Sequence, residues 1–204
     1  MSARRLVRRA AICALSLAAT TGAVVSASPP PPEPPLGPAA REALYRFRSY
    51  QRIFEHVTAY RARATIRNAG GRPVNIRVEA VNPDRYRVIM PGGEGVIIGG
   101  TMYMKVAGRW MPVPESFGGS LGVGQWAHAR YGPRPASIVF VGHARDGGVD
   151  TDRYSFTTAP AARCELSFGR ADHLPRLMEC DSAGTHTHVE YYDYNANITV
   201  EHPT

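Results

Sequence analysis

The sequence predicts a mainly antiparallel β protein of about ten or eleven strands, preceded by one amphipathic helix. Three observations predict it. Between residues 60 and 113 apolar side chains recur at every second position, the period of a sheet with one apolar and one wet face. Glycine pairs and Asn/Asp-containing turns break these runs at short intervals, as in a meander of sequential strands. A single stretch near the front repeats with helical spacing instead.

The chain has 204 residues and a formal net charge of +7. Residues 1–27 read as a secretory signal peptide. Arg4, Arg5, Arg8 and Arg9 form a basic head, Ala10 to Ala19 is a short apolar run, and Val25-Ser26-Ala27 places small residues at the cleavage positions. The apolar run is too short to cross ~30 Å of hydrocarbon, which argues against an uncleaved anchor. Cys13 follows Ile12 and precedes most of the apolar run, the wrong arrangement for lipid attachment. Removing 1–27 lowers the net charge from +7 to +3, so much of the basicity belongs to the targeting signal. The remaining charge is scattered, and no Lys/Arg run suits a nucleic acid. The expected product is an exported, periplasmic protein, soluble after cleavage.

Residues 28–40 contain "SPPPPEPPLGP", a proline-rich linker that favours extended polyproline II. Residues 41–204 then form one domain, long enough for a sizeable core. In "AAREALYRFRSYQRIFEHV", Leu44, Phe47, Phe54 and Val57 recur at helical spacing, with Tyr50 and Ile53 nearby and arginines largely elsewhere. In "YRARATIRN" Tyr60, Ala62, Ala64 and Ile66 alternate with Arg61, Arg63, Thr65 and Arg67. In "RPVNIRVEAV" Val74, Ile76, Val78 and Ala80 carry the apolar face. "NPD" turns the chain, and Tyr86, Val88 and Met90 continue that face. "GVIIGG", "TMYMKV" and "MPVP" complete the first meander.

Residues 115–135 lose the alternation, and their glycines predict a loop with a short helix around 123–130. "ASIVFVGHA" and "DTDRYSFTT" form a hairpin about Asp146-Gly147-Gly148. "RCELSFG" and "PRLMEC" bracket the turn "RADHL", and "THTHVEYYDYN" and "NITVEHP" are the last two expected strands. Cys164 and Cys180 survive processing. An even pair in an exported chain reads as a disulfide, with two free buried thiols as the other possibility. A hairpin centred on Asp172 sets Cys164 opposite Cys180, Leu166 opposite Met178 and Phe168 opposite Arg176, so a cross-strand bridge is geometrically reasonable.

No catalytic constellation stands out. There is no G-x-S-x-G elbow, and the glycine-rich "GGEG" and "GGSLGVG" lack the context of a phosphate loop. His186 and His188 share a strand face with Glu190, the spacing of a weak metal chelate, but that face is the wet one if Val189 and Tyr191 point inward. The reading is a protein that is not an enzyme, with no catalytic residues, no metal and no cofactor.

The stretches "YRARATIR", "PVNIRVEAVNPDRYRVIM", "GGTMYMKVAGRWMPVP" and the ending "YYDYNANITVEHP" together resemble the LolA/LolB-like superfamily of periplasmic lipoprotein carriers, in the broad sense that includes LppX/LprG-type lipoproteins. The resemblance runs through residues ~41–203 and rests on structural motifs. It implies a strongly curved antiparallel sheet, an incomplete β-barrel, with the N-terminal helix and a few short helices covering the concave face. It also implies an acyl chain, lipid or other hydrophobic ligand held in a cavity between sheet and helices. Leu44, Phe47 and Phe54 from the helix, and Ile66, Val74, Ile76 and Val78 from the first two strands, are expected to line that cavity. Tyr86, Val88, Met90, Ile98, Met102 and Met104 from the next three strands join them. Methionine is flexible and polarisable, so a face rich in it can repack around variable chains; the same residues also suit a packed core. The alternative is a protein-interaction module that binds a lipoprotein or an envelope regulator without lipid.

Overall fold

The computed structural model describes residues 36–113, 137–158 and 162–203. The expected signal peptide, most of the linker and the expected 123–130 helix lie outside the described residues.

One helix, α1 (Pro38–Glu55), starts inside the expected linker. Pro38 suits the first helical position, because its missing N–H would find no partner there and its φ is already helical. The buried stripe is Ala43, Phe47, Tyr50 and Phe54. On the outer side Arg46 pairs with Glu42 one turn earlier. Among the described residues eleven strands follow: β1 (Ala59–Asn68), β2 (Val74–Val81), β3 (Arg85–Met90), β4 (Gly93–Ile98), β5 (Thr101–Val106), β6 (Arg109–Val113), β7 (Ser137–Asp146), β8 (Val149–Thr158), β9 (Ala162–Gly169), β10 (Pro175–Ser182) and β11 (Thr185–Tyr192).

All eleven form one antiparallel sheet in the order β6-β5-β4-β3-β2-β1-β11-β10-β9-β8-β7. The chain runs outward from β1 to the edge at β6, resumes at the other edge with β7, and returns to close β11 against β1. The sheet is a curved, incomplete barrel: among the described residues β6 and β7 are its edges. Among the described residues α1 is the only helix.

Strict alternation sorts side chains to two faces. Cross-strand partners Ala62, Val78 and Tyr191, and Ala64, Ile76 and Val189, fall on the covered face. Arg61, Arg63, Thr65 and Arg67 fall on the open face. Two apolar clusters fill the covered face. In one, Phe47 sits 2 % exposed, edge-on to Tyr154, Phe156 and Phe168 at centroid distances of 5.9, 5.4 and 5.5 Å. Edge-to-face pairs of this kind are each worth about 0.5–1.5 kcal/mol beyond area burial. The other holds Phe54, Tyr60, Val78, Tyr86, Val88, Val189 and Tyr191. Their burial holds the Tyr60 and Tyr191 phenols well above the usual tyrosine range.

Cys164 and Cys180 are disulfide-bonded on the covered face, between directly opposed positions of β9 and β10. Leu166 lies opposite Met178, as the spacing predicts. Phe168 lies opposite Pro175 rather than Arg176, because a bulge between Pro175 and Leu177 shifts the register.

"NITVEHP" is not a strand. Both neighbours of β1 are already paired, and positive φ at Asp193 and Asn195 turns the chain out of the sheet. Asn195 instead accepts hydrogen bonds from the Thr58 N–H (2.9 Å) and donates its own N–H to Ala59 (2.8 Å). Val200 is then buried, and the Val200 carbonyl accepts a 3.3 Å hydrogen bond from Arg85.

Candidate functional site

The covered face is not filled evenly. At the β3–β6 end the inward row of β4 is Gly93, Gly95 and Ile97, since these residues oppose Met90, Val88 and Tyr86 of β3. Two positions in that row therefore lack side chains. A Cβ on Gly95 would stand 3.4 Å from the Met102 methyl, so that flexible tip occupies the space. A Cβ on Gly93 would meet nothing within 4 Å. Glycine inside a strand marks a close approach or an open space at the sheet surface. Met104 lies beyond Gly95, and Met111 beyond Met104. The result is an apolar notch at Gly93, with Met90 beside it and Met102 and Met104 next along the face.

Exposure rises steadily along this surface. On β5 Met102 is 5 % exposed, Met104 is half-buried and Val106 is 51 % exposed. Met111 on β6 is 52 % exposed. The apolar face is thus packed under Phe54 and open toward the Gly93 end.

The residues expected to line a cavity fall into three groups. Tyr86, Val88, Met90, Met102 and Met104 surround or back the notch, with Ile76, Val78 and Phe54 in the adjoining core and Ile66 packed against it. Leu44 and Phe47 lie elsewhere, in the aromatic cluster over β7–β9. Val74 shares the covered face opposite Ile66 but is 37 % exposed. Ile98 is a correction: it opposes Arg85 and Thr101 on the other face, and Ile97 takes the inward position. In "GVII" neither isoleucine is marked by composition; only the register separates them.

A second set of side chains escaped the sequence reading. Asp152 of β8 is 7 % exposed. Its carboxylate accepts a hydrogen bond from the Tyr50 hydroxyl (3.2 Å), lies 2.8 Å from His143 Nδ1 and faces Arg170 at 3.6 Å. Burial, and then the Asp152 charge, push the Tyr50 phenol up. His173 stacks on Tyr50 at 4.6 Å. This cluster ties α1 to β7 and β8. The "DTD" motif alternates with its strand, but nothing local shows that a helix tyrosine 102 residues earlier reaches it.

The open face carries His186 and His188. His186 Nδ1 lies 2.8 Å from Asp181, and His188 sits between Glu179 (3.1 Å from Nδ1) and Glu190 (3.5 Å from Nε2). Among the described residues no group of three or more His, Cys, Asp and Glu side chains is placed to hold a metal. No described helix is long and apolar enough to cross a membrane.

An open antiparallel half-barrel with one helix across its apolar face is the class these features define. Its solved counterparts include the Mycobacterium tuberculosis lipoprotein LppX (TM-score 0.59, 13% identity, covering 79% of this chain and 99% of that one). LprF from Mycobacterium bovis is similar at TM-score 0.57 and 14% identity, over 82% of this chain and 99% of that one. MucB matches at TM-score 0.50 and 12% identity, over 81% of this chain and 62% of that one. The fold is therefore that of LppX and LprF. No family model matches the sequence, and no curated protein matches it.

Proposed function

We propose that this protein is an exported carrier or sensor that holds a lipid, an acyl chain or a similar hydrophobe on the apolar face of β3–β6. The observation that carries the reading is the notch at Gly93: open space above an inward glycine, with methionines around it, on a face that grows more exposed toward Gly93. A ligand chain lying there would cover apolar area at about 25 cal/mol per Å² and meet side chains able to adapt to it. Residues 1–27 supply the export signal in this reading.

The test is to purify the processed chain from its native host, extract it and analyse the extract by mass spectrometry. Stoichiometric lipid is the expected result. A clean protein that also fails to bind a fluorescent fatty acid would end the proposal.

A second reading has one observation in its favour. Edge strand β7 presents Val139, Phe140 and Val141, three consecutive exposed apolar residues. Exposed apolar edges recruit other chains, as a protein-interaction module requires. A stable protein partner recovered from the periplasm, with no bound lipid, would favour this reading over the carrier.

A further inference from the structure

The open face carries a polar cleft, away from the apolar notch. A cleft of about 690 Å³ crosses β2, β1, β11 and β10 on the side away from α1. Arg63, Arg67 and Arg77 lie along its β1–β2 wall, and Glu179, Glu190 and the two histidines along its β10–β11 wall. Arg63 and Arg77 are directly opposed across the β1–β2 ladder. Like charges in that position are destabilising unless something compensates them.

Among the described residues no carboxylate lies within ion-pair distance of either. The neighbouring arginines are paired: Arg61 with Glu79 and Asp193, and Arg87 with Glu79 and Glu94. Glu190 opposes Arg63 across β1–β11 but is within 3.5 Å of His188, and Glu179 is 3.1 Å from the other nitrogen of the same ring. Asp181 is taken by His186. Arg63 lies over the Tyr192 ring at 5.0 Å, a contact that holds the guanidinium plane and leaves its N–H edge for another acceptor. Among the described residues Arg63, Arg67 and Arg77 make no ion pair, and all three are exposed.

We propose that this cleft binds a phosphate ester, with Arg63 and Arg77 as its principal donors and Arg67 as a third. Planar guanidinium forks match the two-oxygen edge of a phosphate, and a phosphate between Arg63 and Arg77 relieves their repulsion. Ile89 and Pro91 border the cleft and offer apolar contact to the rest of the ligand. The phosphate comes either from a soluble ester or from a lipid headgroup.

The experiment measures binding of the processed chain to glycerol 3-phosphate by calorimetry, and to phosphatidylglycerol against phosphatidylcholine vesicles by co-sedimentation. Arg77→Gln and Arg63→Gln are compared with wild type, with Arg48→Gln on the exposed side of α1 as the control for general charge. Losing a charged hydrogen-bond donor should weaken binding about ten-fold or more. Binding of the soluble ester that falls in the two cleft variants supports the site with a soluble ligand. Binding only to phosphatidylglycerol vesicles, with the same losses and an unaffected control, supports it with a headgroup. Binding of neither probe overturns the proposal, as does a control loss equal to that of the cleft variants, or cleft variants that bind as wild type. A readout without ligand guards against misfolding: Arg77→Gln should keep or slightly raise Tm, and a clear fall would assign Arg77 a structural role instead.

Discussion

Gly93 is the most direct handle on the notch. Its φ is not in the left-handed region and the space above its Cα is open, so a larger residue fits without backbone strain. Gly93→Leu is expected to fill the notch, lower affinity for a fluorescent fatty acid at least ten-fold, about 1.4 kcal/mol, and leave Tm within a few degrees. Unchanged affinity would place the ligand elsewhere. Asp146 allows a second residue-level prediction. Desolvation alone would raise its carboxyl, but the hydroxyl of Thr151 (2.7 Å) and the guanidinium of Arg153 (2.8 Å) outweigh it and hold the pKa below the ordinary 3.8. A depressed folded-state value means that Asp146 stabilises the fold fully above about pH 4 and that this contribution is lost as pH falls through the lower folded value. Asp146→Asn should therefore be less stable than wild type at neutral pH and show a shallower loss of stability below pH ~4, read by denaturant titration at stepped pH.

Two elements hold the architecture together. Helix α1 docks by Phe47, inserted among Tyr154, Phe156 and Phe168, and by the Tyr50–Asp152 hydrogen bond. Phe47→Ala leaves a large cavity in a closed aromatic cluster and should cost about 3–5 kcal/mol. Because that cluster sits over β7–β9 rather than over β4, thermal unfolding should move far more than ligand affinity measured well below Tm. The β9–β10 hairpin is clamped by Cys164–Cys180, at a sequence separation of 16. In the chain-entropy model a loop of that size contributes about 3 kcal/mol. The Cys164→Ser/Cys180→Ser pair is expected to lower Tm on the order of 10 °C while ligand uptake persists at low temperature. Loss of uptake in a folded double variant would make the hairpin part of the binding surface.

For the molecule as a whole, the proposed binding functions fall on opposite faces of one sheet. The covered face carries an aromatic core at one end and a methionine-edged notch at the other; the open face carries the arginine cleft. Gly93→Leu and Arg77→Gln should therefore act separately, one on hydrophobic ligands and the other on phosphate esters, and the double variant should show the sum of both effects. Coupling between them would mean that one ligand spans both faces, or that the sheet changes shape on binding.

Much of this was legible along the chain. The alternation of Tyr60 to Ile66 and of Val74 to Ala80 determines which side of each strand is buried, because a strand's side chains must alternate. The helical stripe through Phe47 and Phe54, and the opposition of Cys164 to Cys180 about the "RADHL" turn, are equally local. Other features depended on register between strands. Ile97 and Ile98 are indistinguishable in "GVII" until β4 is set against β3, and the bulge at Pro175–Leu177 moves Phe168 away from Arg176. The notch itself exists only because Gly93 falls on the inward row. Arg63 and Arg77 become neighbours through the β1–β2 ladder, and among the described residues neither makes an ion pair, while His188, from a strand more than 100 residues away, contacts Glu179 and Glu190. The period of a sequence determines what a strand buries. Which residues meet across strands is decided by pairing between distant segments, and no local pattern encodes that.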